Sequence, residues 1–255
     1  MRNTWIICRK ELDSYFVSPV AYILLTMFGL IFGFFFWNSL GYFVIAGMEM
    51  RMRGQSFPMN LNEQVIRPLL ANVSVVGLFF IPMMSMRLFA EEKRTGTIEL
   101  LATSPVRDLE IIIGKWLAAM LLYSCLLLFT ALNFAFLFKY GNPDWKPLAV
   151  GYLGLLLQAG ALLAIGTFIS TLTKNQIIAG AVTFGACLLL WVLAWVSGYE
   201  TATWARALSY MSVFTHFESF GRGVLDTKDA VFYLTVIFLG LFFTARSMES
   251  LRWRF

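Results

Sequence analysis

The chain has 255 residues, 59% of them apolar and only 14% charged, with a net charge of +5 and a mean hydropathy of +0.72. That balance excludes a soluble globular surface. Cys8, Cys125 and Cys187 stand far apart, two of them inside apolar runs, so a disulfide scaffold is excluded, and the scattered positive charge, with no aromatic and basic interleaving, excludes disorder and nucleic-acid binding.

A helix needs about 20 apolar residues to cross hydrocarbon, and cutting the chain at its charges predicts an all-α integral membrane fold. Ahead of the first span, Trp5, Leu12 and Phe16 recur at helical spacing while Arg2, Arg9, Lys10 and Asp13 take other faces, which predicts an interfacial elbow helix over residues 1–18. The apolar run that follows is too long for a cleaved signal peptide. Six transmembrane helices are expected, at about residues 20–46, 68–88, 116–138, 147–172, 176–198 and 230–248. Lys174 alone separates the fourth from the fifth, making them an antiparallel hairpin. The sixth holds only 16 uncharged positions, residues 230–245, about 24 Å of helix, so it requires Arg246 to snorkel or a locally thin bilayer. An even number of spans puts both termini on one side. The termini, the 87–115 loop and Lys174 carry 12 Lys and Arg against 8 in the opposite loops, which predicts cytoplasmic N- and C-termini.

Residues 87–115 hold 10 of the 35 charged residues: Arg87, Glu91, Glu92, Lys93, Arg94, Glu99, Arg107, Asp108, Glu110 and Lys115. An ordinary flanking loop would carry local pairs such as Glu91 with Arg94. This one is organised. Thr95-Gly96-Thr97 breaks the helix emerging from the second span, Ile98-Glu99-Leu100-Leu101 makes a short amphipathic turn, and Ser104 caps a new helix with Pro105 at its first position and Asp108 and Glu110 on its dipole. A compact, charged, rigid segment between two spans suits a protein pushed by a partner.

At these residues the chain resembles the permease subunits of ABC-2 type transporters. Two acids and a basic residue, Gly-Thr, an acid, a Leu-Leu pair, a Pro and a Gly-Lys stand here as Glu91-Glu92-Lys93, Gly96-Thr97, Glu99-Leu100-Leu101, Ser104-Pro105 and Gly114-Lys115. Arg9-Lys10-Glu11-Leu12 and Tyr15-Phe16-Val17-Ser18-Pro19 resemble the family's elbow and first-span approach. His216-Phe217-Glu218-Ser219-Phe220, Arg222-Gly223-Val224 and Leu251-Arg252-Trp253 are similar to its gliding-motility-associated branch. The resemblance implies a non-catalytic exporter subunit in the inner (cytoplasmic) membrane, paired with a second permease chain, identical or homologous, and with two copies of an ABC ATPase subunit. ATP and Mg would sit on the ATPase, with no cofactor in this chain, whose sequence lacks a G-x-x-x-x-G-K-[ST] phosphate loop. By the same resemblance Glu91, Glu92, Lys93, Arg94, Gly96, Thr97, Glu99, Leu100, Leu101, Ser104 and Pro105 form the ATPase-coupling segment within the cytoplasmic stretch 89–115. Phe214, Phe217, Phe220, Arg222 and Gly223 belong to an outer re-entrant hairpin within 200–229 that gates the exit, and Gly29 and Gly33 face the permease dimer seam. Beside that stand plainer readings: Gly96 permits a bend, and Lys115 anchors the third span at the interface.

No ionisable residue falls inside the proposed spans, which disfavours ion-coupled transport and intramembrane catalysis. Thr130 with Asn133, and Thr167 with Ser170 and Thr171, either satisfy backbone carbonyls and link helices or line a path for an amphiphilic substrate. Tyr210, Phe214 and Phe217, at i, i+4 and i+7, predict an aromatic-faced surface helix. His216 is the only histidine, so a histidine-cluster metal site is excluded and a structural role is expected. Lipids, drugs, glycans and peptides all suit such spans as substrates. The alternative to transport is an ATP-driven membrane scaffold that passes movement to an extracytoplasmic accessory protein.

Overall fold

Ser18 takes the N–H of Val20 on its hydroxyl at 3.3 Å, and Pro19, which has no N–H to satisfy, opens the longest helix of the chain. The computed structural model describes residues 2–54, 60–98, 106–195 and 203–252, and the regular elements among them are helical. They are α1 (Arg2–Val17), α2 (Pro19–Met52), α3 (Arg67–Ser85), α4 (Ala90–Thr95), α5 (Asp108–Tyr140), α6 (Trp145–Leu172), α7 (Gln176–Trp195), α8 (Thr203–Tyr210), α9 (Phe217–Gly221) and α10 (Thr227–Arg252). A π-helical turn, Asn62–Ile66, leads into α3. Six helical runs are long and apolar enough to cross a membrane, built on α2, α3, α5, α6, α7 and α10, which makes this a multi-pass membrane protein with the expected number of spans.

The spans differ in how much of themselves they hide. α3 and α6 are the inner pair, whereas α2, α7 and α10 turn most of their surface outward. α6 is the hub, with α3, α5, α7, α9 and α10 all packed on it. Its small residues allow this: a Cβ at Gly154 would lie 2.4 Å from the Cβ of Phe220, so only glycine lets α9 seat its aromatic rings there. Ser74 of α3 donates to Gln158 of α6 at 2.8 Å, joining the inner pair by a buried polar contact.

Two expectations are corrected here. The helix after the charged loop begins at Asp108, not Pro105, because Arg107 is extended and its N–H is taken by the Glu110 carboxylate at 3.4 Å. Tyr210, Phe214 and Phe217 do not share one helix: α8 ends at Tyr210, a turn intervenes, and α9 starts at Phe217, which leaves Tyr210 exposed and buries the two phenylalanines. The last helix extends beyond the uncharged stretch at both ends, and Arg246 pairs with Glu249 at 2.8 Å.

Candidate functional site

The charged segment after α3 is built around a break that one distant hydroxyl repairs. The helix stops at Ser85, restarts at Ala90, and leaves the N–H groups of Phe89 and Ala90 without intrahelical acceptors. Ser170 of α6 accepts both, at 3.1 and 3.0 Å, and donates its own proton to the Met86 carbonyl at 3.0 Å. A hydroxyl offers one donor and two acceptor positions, so Ser170 is saturated. α4 is thereby capped from another helix, and Gly96 ends it in the left-handed region, at φ +77°.

Within α4 the side chains divide into two edges. Arg94, Thr95, Gly96 and Thr97 are exposed. Glu92 and Lys93 turn inward, the Lys93 ammonium donating to the Thr171 carbonyl of α6, and Ile98 is buried. Glu91 pairs with Arg87 at 3.3 Å, one turn back, instead of with Arg94.

Glu92 meets Lys115 at 2.8 Å, and Lys115 also meets Glu11 of α1 at 2.8 Å. The Lys115 side chain is 2% exposed, with Glu92 at 14% and Glu11 at 17%. This corrects the reading of Lys115 as an interfacial anchor: its ammonium points inward and ties three elements together, with Phe89 facing it at 5.3 Å. One lysine faces two carboxylates, so the cluster is net negative when all three are ionised. Burial pushes the Glu92 carboxyl up more strongly than Lys115 pulls it down.

The residue before Lys115 explains how α1 comes so close. A Cβ at Gly114 would stand 2.9 Å from the Thr4 carbonyl and 3.0 Å from Ile7, so glycine is what lets α1 lie across α5. Three further contacts fasten α1: Tyr15 donates to the Met84 carbonyl at 2.6 Å, Arg87 donates to Ser14 at 3.0 Å while lying 4.6 Å over the Tyr15 ring, and Asn3 donates to Glu110 at 3.1 Å. Thr171 carries the network on to Ser247 of α10 at 2.9 Å.

Of the residues expected in this segment, Glu91, Glu92, Lys93, Arg94, Gly96 and Thr97 are thus gathered in one place, while Glu99, Leu100, Leu101, Ser104 and Pro105 lie outside the described residues. Sequence reasoning missed Glu11 and Ser170 as parts of it, and placed Lys115 in the segment without seeing that it turns inward. The adjacency of Gly114 and Lys115 was the available signal, a close approach beside a charge.

At the far end of the bundle Phe214, Phe217 and Phe220 are buried, with Phe217 and Phe220 against α6. Gly223 closes the turn at φ +78°, and exposed Arg222 faces Glu218 at 3.5 Å. A Cβ at Gly29 would lie 3.8 Å from the Phe129 ring of the chain's own α5, and one at Gly33 would meet open space. Several hydroxyls inside the spans serve their own helices: Thr130, Thr167 and Thr183 donate to the carbonyls of Leu127, Leu163 and Ala179, and the Asn133 amide donates to that of Phe129, while Thr130 also meets the Tyr152 hydroxyl of α6. Among the described residues no group of three metal-ligating side chains occurs. What the site can do is mechanical: a charged segment, exposed on one edge, is clamped to α1, α5 and α6 on the other.

A family model described as ABC-2 family transporter protein matches residues 53–245. The chain is 25% identical over 169 residues to the probable multidrug ABC transporter permease YbhR of Escherichia coli (strain K12), covering 65% of this chain and 44% of that protein. The protein of the same name from Escherichia coli O157:H7 matches to the same extent. The chain thus spans less than half the length of these relatives.

Proposed function

The chain belongs to the ABC-2 transporter family, and on that premise we propose that it is the permease subunit of an ABC exporter, driven by a separate ATPase that docks on the exposed edge of α4 and the residues following it. The Glu11, Lys115 and Glu92 cluster carries this reading. A push on α4 is useful only if the segment cannot yield locally, and here its inner edge is fixed by a buried ion cluster, a lysine bonded to a backbone carbonyl and a hydroxyl cap, on three different helices. Displacement of α4 therefore moves α1, α5 and α6 with it. ATP and Mg belong to the partner, whose preference for one conformation supplies the bias between states. In this reading both termini and α4 are cytoplasmic, the membrane is the inner one, α1 is the interfacial elbow, and Phe214, Phe217, Phe220, Arg222 and Gly223 form the outer gate. A second copy or a homologue completes the pore. The gliding-motility-associated branch is a proposal resting on residues 216–224 and 251–253.

A second reading, a scaffold that transmits movement without transport, is favoured by one observation: Thr130, Thr167 and Thr183 inside the spans donate to backbone carbonyls of their own helices. Affinity purification of the tagged chain followed by reconstitution separates the two. The permease reading expects a co-purifying nucleotide-binding chain and ATP-dependent movement of a lipid or other amphiphile. Recovery of no ATPase would contradict both readings, and ATP hydrolysis with no transported species would favour the scaffold.

A further inference from the structure

His216 lies at the far end of the bundle from the clamp, 5% exposed, in a setting where both ring nitrogens are engaged. Nε2 is 2.9 Å from the Tyr210 carbonyl at the end of α8, and Nδ1 is 2.7 Å from Oδ1 of Asp229, 2% exposed in the first turn of α10. A backbone carbonyl accepts only, so Nε2 must carry a hydrogen. The short contact at Nδ1 needs a second hydrogen, held by the ring or by the carboxyl. The pair therefore closes only when it holds two exchangeable protons. With Asp229, in the first turn of α10, present as the carboxylate, the second proton is on the imidazole. Phe232 stacks on the ring at 3.9 Å, and the Tyr210 and Tyr233 rings meet it edge-on.

We propose that His216 and Asp229 form a proton-binding site that clasps α8 to the start of α10. Loss of the proton leaves a neutral imidazole with one hydrogen for two acceptors. If that hydrogen stays between Nδ1 and the Asp229 carboxylate, the bare Nε2 faces the Tyr210 carbonyl and the link to α8 fails. The sign follows: the clasp is closed on the acid side and opens as the pH rises. The ionisable groups around it are Asp229, Asp226, Lys228 and Tyr233 from α10 and the residue preceding it, and Tyr210 from α8. Lys228 is held by Asp226 at 3.0 Å. Glu218 and Arg222 of α9 are exposed and directed to each other. Tyr233, donating to the Val213 carbonyl at 2.7 Å, and Ser212, donating to the Leu190 carbonyl at 2.8 Å, hold the intervening turn independently of pH, so the opening is confined to α8.

Because the chain has a single histidine, the state of this site can be read without assignment ambiguity. The full chain, purified on a tag free of histidine and labelled with ¹⁵N-histidine, is titrated in micelles across about pH 5 to 8, where an imidazole changes charge, alongside amide hydrogen exchange of residues 203–210 corrected for intrinsic rate. The expected result is a ring protonated at both nitrogens at the acid end and a fall of about tenfold in α8 protection as that signal disappears, the worth of roughly one hydrogen bond. Asp229→Asn should abolish the pH dependence. A ring that stays neutral throughout, or α8 protection that ignores its titration, overturns the proposal, and both are measured on the wild-type chain whether or not the variant folds.

Discussion

Lys115 shows how much a single side chain is asked to hold. Its ammonium is removed from water and faces two carboxylates on different helices, and removing one member of a buried ion cluster leaves the others uncompensated. Lys115→Met is therefore expected to cost about 3–5 kcal/mol, seen as a large drop in thermal midpoint of the purified protein in detergent. Glu92→Gln behaves differently. Burial already disfavours the Glu92 carboxylate, and a carboxyl whose folded value is raised takes up its proton in the fold before the unfolded chain does. The wild type thus gains stability relative to Glu92→Gln as the pH falls through that raised value, and Glu92→Gln loses little at neutral pH. Paired unfolding curves at neutral and acidic pH check the sign. Ser170→Ala strands two buried N–H groups and should cost about 1–3 kcal/mol for each left unpaired.

Among the elements, α4 is where local sequence and distant structure meet. Its end at Gly96 was legible because glycine is the usual residue for a left-handed helix stop, and the spans were legible because apolar length alone specifies them. Its beginning was not. The break at residues 86–89 is stabilised by Ser170, some 80 positions away, and no local propensity records a donor supplied from another helix. The same holds for Glu11, separated from Lys115 by 104 positions. The aromatic spacing of residues 210–217 misled for a related reason: Phe217 seats against Gly154 of α6 and Phe214 is buried in the turn before it, so the spacing looks periodic without a shared helix. Gly114→Leu should lift α1 from α5 while leaving both helices formed, detectable as faster hydrogen exchange over residues 2–17 with little change in total helicity. Arg94→Glu, on the exposed edge, should leave the stability within about 0.5 kcal/mol of wild type and weaken recovery of the proposed ATPase.

For the whole molecule, the arrangement places a rigid charged clamp at one end and a proton-held clasp at the other, with α6 running between them. Both ends touch this inner helix, the clamp through Ser170 and Thr171 and the far aromatic cluster through Gly154. α2, α7 and α10 turn most of their surface outward, as expected of helices that meet lipid or a second permease. The central claim is that motion entering at α4 travels as a rigid body into α1. Spin labels at positions 9 and 94, both exposed, allow the separation of α1 and α4 to be measured by pulsed electron resonance in the complex with the proposed ATPase, with and without ATP. The account predicts an unchanged separation within one subunit while the two positions 94 of paired subunits approach each other. A separation between 9 and 94 that changes on ATP binding as much as the inter-subunit distance does would show that the clamp yields, and would contradict it.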